Sequence, residues 1–248
     1  MKPPPALLVA DVGNSRMKWG WQDAQGLTQG LALPLDDVQA WAQAIAPLPH
    51  HVPWLLAGSN PPVRDALADW LREQGRPCRV VRDYRLLPIP VGVRQPERVG
   101  LDRLLNAVAV VRRQQSPSLI VDAGSAVTVD LVDGAGTFQG GAILPGLRLM
   151  ARCLKQGTAN LPEVPLSLDP PPFPGRVTEE AIALGLAAAL IGGIETLVRQ
   201  AQATQPRLHL LLTGGDAPRL QPLLADEFHL EPWLTLEGLL WTARTLPT

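Results

Sequence analysis

Apolar and polar positions along the chain fall into short buried runs separated by turns rich in glycine, proline and acid. Leu7-Leu8-Val9-Ala10 runs into Asp11-Val12-Gly13-Asn14-Ser15, and Met17-Lys18-Trp19-Gly20-Trp21 leads away from it. A continuous apolar run that stops at a polar glycine turn has the pattern of a core strand. The stretch from Leu119 to Val132 repeats it: Leu119-Ile120-Val121 enters Asp122-Ala123-Gly124-Ser125, and an alternating run follows. Two copies of strand, acidic glycine turn and strand predict two related half-domains, each presenting a phosphate-sized turn to a shared cleft.

Between these hairpins, Leu27 to Leu33 reads as a third strand, and Asp36 to Ile45 has helical spacing with acids in its first turn, closed by Pro47 and Pro49. Trp54 to Gly58 reads as a buried strand. Pro61-Pro62 opens a helix with Val63, Ala66, Leu67, Trp70 and Leu71 on one face, Gly75 ends it, and Arg79 to Val81 adds a short strand. The order βββαβα favours an α/β layer architecture. Leu86 to Val99 is irregular, broken by Pro88, Pro90 and Pro96, and Gly100-Leu101-Asp102-Arg103 opens the next helix.

The lobe boundary is expected at 115/116, giving lobes 1–115 and 116–248. In the second, Thr137 to Ile143 adds a strand, Leu144-Pro145-Gly146 breaks it, and a helix runs from Leu147 to Lys155. Leu161 to Gly175 holds six prolines and must be an extended connection, either a lid or a crossover. Thr178 is expected as the N-cap of a helix with Glu179 and Glu180 in its first turn. The small residues Ala181, Gly185, Ala188 and Gly192 suit close packing on the helix's own sheet or on another subunit. His209 to Thr213 reads as a strand entering Gly214-Gly215, and Trp233 to Leu246 as an apolar helix. The apolar stretch Ala181 to Ile194 falls short of the roughly 20 residues needed to cross a bilayer and reads as a buried helix.

Composition narrows the class. The chain has 248 residues, 46% hydrophobic and 18% charged, with a formal net charge of -1, enough for one large or two modest soluble domains and without a basic nucleic-acid footprint. Cys78 and Cys153 stand alone and far apart, which argues against a disulfide framework and fits a reducing cytosol. Neither forms a metal motif with His50, His51, His209 or His229. The start, Met1-Lys2-Pro3-Pro4-Pro5, shows no signal-peptide core, so secretion is not expected.

The two turns carry candidate chemistry. Glycine lets backbone N–H groups approach an anion, and the hydroxyl of Ser15 or Ser125 can donate to a phosphate oxygen. Asp11 and Asp122 would repel a bare phosphate but suit a hard cation such as Mg²⁺ between acid and phosphate. A hairpin whose Asp and Ser only satisfy turn amides gives one such pattern; its repetition in matching strand context favours the phosphate reading. Asp102 and Arg103, at a helix N-terminus, can orient an anionic substrate, although an Asp on a helix dipole beside a surface Arg gives the same spacing.

Taken together, Asp11 to Lys18, Gly100 to Arg103, Asp122 to Thr128, Gly140 to Gly146, Thr178 and Thr213-Gly214-Gly215 resemble, in order and spacing, the type III pantothenate kinases and their accessory-factor relatives. The resemblance implies the duplicated actin-like ATPase fold of the acetate kinase, sugar kinase, Hsp70 and actin superfamily, a mixed-sheet α/β fold with an ATP site between two lobes. It also implies a cytoplasmic homodimer that uses ATP, Mg²⁺ and a monovalent cation, K⁺ or NH₄⁺, to phosphorylate pantothenate at the first step of coenzyme A biosynthesis.

By position, the resemblance puts ATP on Asp11, Val12, Gly13, Asn14, Ser15, Arg16, Met17, Lys18 and Ser125, and the monovalent cation on Asp122. It puts the catalytic base on Asp102 and the pantothenate site on Gly100, Leu101, Asp102, Arg103 and Thr178. Ser15 and Ser125 replace the family's usual Thr and keep the hydroxyl. Val93 stands where a substrate-contacting Tyr is common, and Val177 where Asn often precedes the Thr. Those two changes motivate two alternatives: a catalytically weak regulatory protein on the kinase fold, or a kinase for another small alcohol.

Overall fold

The computed structural model describes residues 6–22, 28–165, 170–225 and 227–246. The described residues of 6–115, 136–138 and 233–246 form one compact unit, and those of 116–135 and 139–232 form the other.

The first unit is built on a mixed five-stranded sheet. Its strands are β1 (Leu8–Val12), β2 (Met17–Gln22), β3 (Thr28–Leu33), β4 (Trp54–Ala57) and β5 (Cys78–Val80), in the order β3-β2-β1-β4-β5. β1 pairs antiparallel with β2 and parallel with β4. Leu27, expected to begin the third strand, lies outside the described residues. Side chains alternate across a strand, so Leu8, Ala10 and Val12 face a core shared with Met17, Trp19, Trp54 and the helices α1 (Val38–Ile45) and α2 (Pro61–Glu73). Trp19 and Trp54 meet edge to face at 4.9 Å. Asp37 and Asn60 cap the two helices through their side-chain oxygens. The buried Arg76 guanidinium donates to the carbonyls of Ile45, Leu48 and Pro49, satisfying the end of α1.

The opposite face, carrying Val9 and Asp11, is the one crossed by α7 (Leu234–Ala243): a Cβ on Gly20, opposite Val9, would lie 2.7 Å from Leu236. α7 packs on α3 (Leu101–Arg112) so closely that a Cβ on Gly238 would meet the Leu105 carbonyl at 1.9 Å. Thr235 donates to Asn106 at 2.8 Å, and Arg113 pairs with Glu237 through two hydrogen bonds. The helix read from Trp233 to Leu246 therefore belongs with the first unit, not with the residues that precede it.

The second unit repeats the plan. Its strands are β6 (Ser118–Ala123), β7 (Ala126–Val132), β8 (Phe138–Pro145), β9 (His209–Thr213) and β10 (His229–Leu230), in the order β10-β9-β6-β7-β8. Leu119, Val121 and Ala123 face a core with α4 (Leu147–Gly157), α5 (Thr178–Thr204) and α6 (Ala217–Leu220). One expectation needs correction. Thr178 is the first helical residue rather than the N-cap, which is Val177; the Arg176 N–H instead donates to the Glu180 carboxylate at 2.7 Å. α5 also passes through Gly192 and Gly193 to Thr204, 27 residues, long and apolar enough by length and composition to cross a membrane. Ile182, Leu186, Leu190, Ile194 and Val198 on one stripe of it are buried in the second unit's core.

Candidate functional site

The two Asp-bearing strands end in matching ways. Asp11 is in register with Lys18 on β2 and Ala57 on β4; Asp122 is in register with Thr128 on β7 and Thr213 on β9. The residue after the parallel neighbour is in each case a glycine at positive φ, Gly58 at 146° and Gly214 at 99°. A Cβ on Gly58 would lie 2.3 Å from the Val12 carbonyl, and one on Gly214 2.4 Å from that of Ala123. Those carbonyls then accept from Asn60 and Asp216. Such agreement is what an internal duplication produces.

In the first unit, Asp11 is 8% exposed and its side chain lies on the face opposite Val12. Gly13 N–H donates to the Arg16 carbonyl at 3.2 Å, closing a turn whose Asn14, Ser15 and Arg16 are exposed. Val12 and Met17 have their side chains in the core, where Met17 Sδ accepts from Trp19 Nε1 at 3.2 Å. Those two can meet a ligand only through the backbone; Lys18, half-buried, is the strand partner of Asp11.

The same unit holds Gly100 to Arg103. Gly100 caps α3, and Asp102 folds back so that its carboxylate accepts from Arg103 N–H at 2.9 Å. A Cβ on Gly100 would sit 2.4 Å from Asp102 Oδ1, so glycine is what permits this carboxylate position. The Arg103 guanidinium lies 5.6 Å from the centre of the buried Phe138 ring. Val93 and Arg103 line one cavity with Arg94 and Arg98.

In the second unit, Gly124 N–H donates to the Ala126 carbonyl at 3.1 Å, and Gly146 N–H to the carbonyl of the exposed Ser125 at 3.1 Å. Gly146 caps α4, so Ser125 stands at a helix N-terminus, where backbone N–H groups favour anions. Asp122 is half-buried, and the threonines beside it are a feature the motif reading passed over. The Oγ1 atoms of Thr128 and Thr213 are buried with no hydrogen-bond partner, and Thr213 is 0% exposed. Register partners project from the same sheet face with Cβ atoms about 5 Å apart. Their signal was the alternation Asp122, Thr128 and Asp130 with Thr213, legible only once register is known. Among the described residues no three His, Cys, Asp or Glu side chains gather into a metal cluster. Thr178 is exposed at the start of α5, one turn before Ala181 and Ile182, which line an apolar cavity of about 570 Å³ with Met150, Cys153 and Leu154.

A family model described as type III pantothenate kinase matches residues 7–200. The chain belongs to the type III pantothenate kinase family. A protein named Type III pantothenate kinase from Alkalilimnicola ehrlichii is 36% identical over 249 residues, covering 97% of this chain and 98% of the relative. One of the same name from Gloeobacter violaceus is 32% identical over 238 residues, covering 96% and 98%. Among solved structures, the ethanolamine utilization protein EutJ from Carboxydothermus hydrogenoformans is similar with a TM-score of 0.51 and 12% identity, covering 96% of this chain and 90% of that one. The fold of this pantothenate kinase family member is α/β, duplicated and actin-like, with which its two mixed sheets agree. Type III pantothenate kinases are phosphotransferases that use ATP and a divalent metal.

Proposed function

We infer that this chain transfers the γ-phosphoryl group of ATP to the primary hydroxyl of pantothenate, giving 4′-phosphopantothenate and ADP at the first step of coenzyme A biosynthesis. The observation that carries this reading is the family match over residues 7–200, a span that contains Asp11 to Lys18, Gly100 to Arg103, Asp122, Ser125 and Thr178.

In the reaction the alcohol oxygen bonds the γ-phosphorus, the bond to the β–γ bridging oxygen breaks, and the proton passes to Asp102. Phosphoryl transfer has a loose transition state, so alignment and charge neutralisation supply most of the acceleration. Asp102 orients the hydroxyl and accepts its proton late, a contribution of about 10²–10⁴-fold. Arg103 and Thr178 hold pantothenate, while Asp11 to Lys18 and Ser125 bind ATP, the turn amides and Lys18 meeting phosphate oxygens.

The cations fit the residues present. The buried Asp11 carboxylate suits a hydrated Mg²⁺, which prefers carboxylate and water oxygens. Asp122 with the orphaned hydroxyls of Thr128 and Thr213 offers one negative charge and two neutral oxygens, a donor set suited to K⁺ or NH₄⁺. When bound, the cations neutralise phosphate charge. The chain is read as a cytoplasmic homodimer; the exposed apolar side chains of Ile143, Leu149, Phe173 and Val177 on the second unit support self-association.

The test is a coupled ADP-release assay with purified protein, ATP, Mg²⁺, K⁺ and pantothenate, the product identified by mass spectrometry. Robust 4′-phosphopantothenate formation is expected. Absence of product, or preference for a sugar in a substrate panel, overturns the reading.

A further inference from the structure

A cavity of about 450 Å³ in the first unit is lined by Val93, Arg94, Gln95, Arg98, Val99 and Arg103. Its size falls in the range of small-molecule sites, and no carboxylate lines it. Among the described residues, the side chains of Arg94 and Arg98 make no hydrogen bond or ion pair, unlike those of Arg76, Arg82, Arg85 and Arg113, which are all engaged. Three arginines lining one small volume give it positive charge, which an anion would neutralise.

The backbone that presents them is tied down. Pro96 opens a 3₁₀ turn over Pro96–Arg98, in which Arg98 N–H donates to Gln95 and Val99 N–H to Pro96. Arg94 and Arg98 therefore flank one tight turn. Upstream, Phe138 N–H donates to Pro90 at 3.0 Å and Gly92 N–H to Phe138 at 2.9 Å, and the Phe138 ring supports Arg103. Arg103 and Asp102 are consecutive on α3, so they leave the helix about 100° apart. The same helix turn can thus address two ends of one small molecule.

We propose that Arg94 and Arg98, with Arg103, bind the carboxylate of the acceptor substrate and make this chain select the acid over its neutral analogues. The proposal rests on the kinase reading above. Pantothenate has the matching chemistry, a primary hydroxyl at one end for Asp102 and a carboxylate at the other. Guanidinium meets carboxylate through paired, charge-assisted hydrogen bonds. Val93 and Val99 supply apolar wall for the chain between.

The experiment compares the wild type with Arg94→Gln, Arg98→Gln and the double variant, using pantothenate and panthenol, in which CH₂OH replaces the carboxylate. Calorimetry gives acceptor affinity, and steady-state kinetics give KM for each acceptor and for ATP. The double variant is expected to weaken pantothenate binding and raise its KM about 10- to 100-fold, with panthenol and ATP constants and Tm unchanged. An equal loss for both acceptors, a rise confined to ATP, or unchanged pantothenate binding overturns the carboxylate assignment while leaving the kinase reading intact. A wild type that neither binds nor phosphorylates pantothenate overturns the kinase reading, and this proposal with it.

Discussion

Asp11 lies directly opposite Lys18 in the first hairpin, as Asp122 lies opposite Thr128 in the second. The duplicated frame thus places the same acid against different neighbours. On the other side Asp11 meets Ala57 and Asp122 meets Thr213. Asp11 has the cationic Lys18 as a strand neighbour, whereas the strand neighbours of Asp122 are two hydroxyl-bearing threonines.

This difference makes a cation dependence measurable. Thr213→Val keeps shape and removes a buried oxygen that has no hydrogen-bond partner, so stability without K⁺ should hold or rise slightly. The K⁺ concentration for half-maximal activity should rise about 10-fold, and the K⁺-induced increase in Tm should shrink. Asp122→Asn should abolish both effects of K⁺. Thermal shift with varied K⁺ checks this apart from turnover.

Asp102→Asn keeps the shape of the α3 N-terminus and removes the proposed proton acceptor. Turnover should fall about 10²–10⁴-fold while ATP binding by calorimetry and Tm remain near wild type. Unchanged turnover would remove Asp102 from the reaction.

Gly100→Ala tests position rather than chemistry. The added Cβ falls 2.4 Å from Asp102 Oδ1, and the cheapest relief is rotation of that carboxylate. A displacement of this kind should lower kcat about 10²-fold with the ATP KM intact. Equal loss of stability and activity would mean the helix start had collapsed instead.

Gly238→Ala drives a Cβ to 1.9 Å from the Leu105 carbonyl, a backbone atom that cannot swing away. The α3–α7 pair should separate at a cost of about 3 kcal/mol, read from urea unfolding. Glu237→Gln, which breaks the ion pair with Arg113, should cost about 1–2 kcal/mol.

Burial pushes the Cys78 thiol from its ordinary 9.0 up to about 11. The folded chain therefore holds a proton that the unfolded chain releases first. The stabilisation is complete below pH 9.0 and fades as pH rises to about 11. Cys78→Ala should flatten the alkaline fall in Tm, and at neutral pH thiol reagents should modify the exposed Cys153 first.

Most of the frame was legible because strands such as Leu8–Val12 and Ser118–Ala123 are apolar runs ending in acid and glycine, a signal carried by adjacent residues. The motif residues 11–18 and 100–103 were legible for the same reason. What needed coordinates was register and close approach. Thr213 is 91 positions from Asp122 in the chain yet its strand neighbour. Arg94 and Arg98 sit in a Pro-broken loop without periodicity, so nothing local marks them as sharing a cavity with Arg103. The length of α5 was not marked in the sequence: glycine inside a helix costs only about 1 kcal/mol, so Gly192 and Gly193 do not end a helix whose apolar stripe packs in the core.

Because α7 completes the sheet face that begins with Leu8–Val12, the first unit draws on both ends of the chain. On the ribosome, the earliest strands emerge more than two hundred residues before their final cover, while the intervening unit has nearly all its parts in one continuous span. Synthesis therefore delivers a finished second unit to a first one still waiting for its last helix. Nascent chains released before Leu234 should expose the Val9 side of the first sheet and be targets for chaperones and proteases.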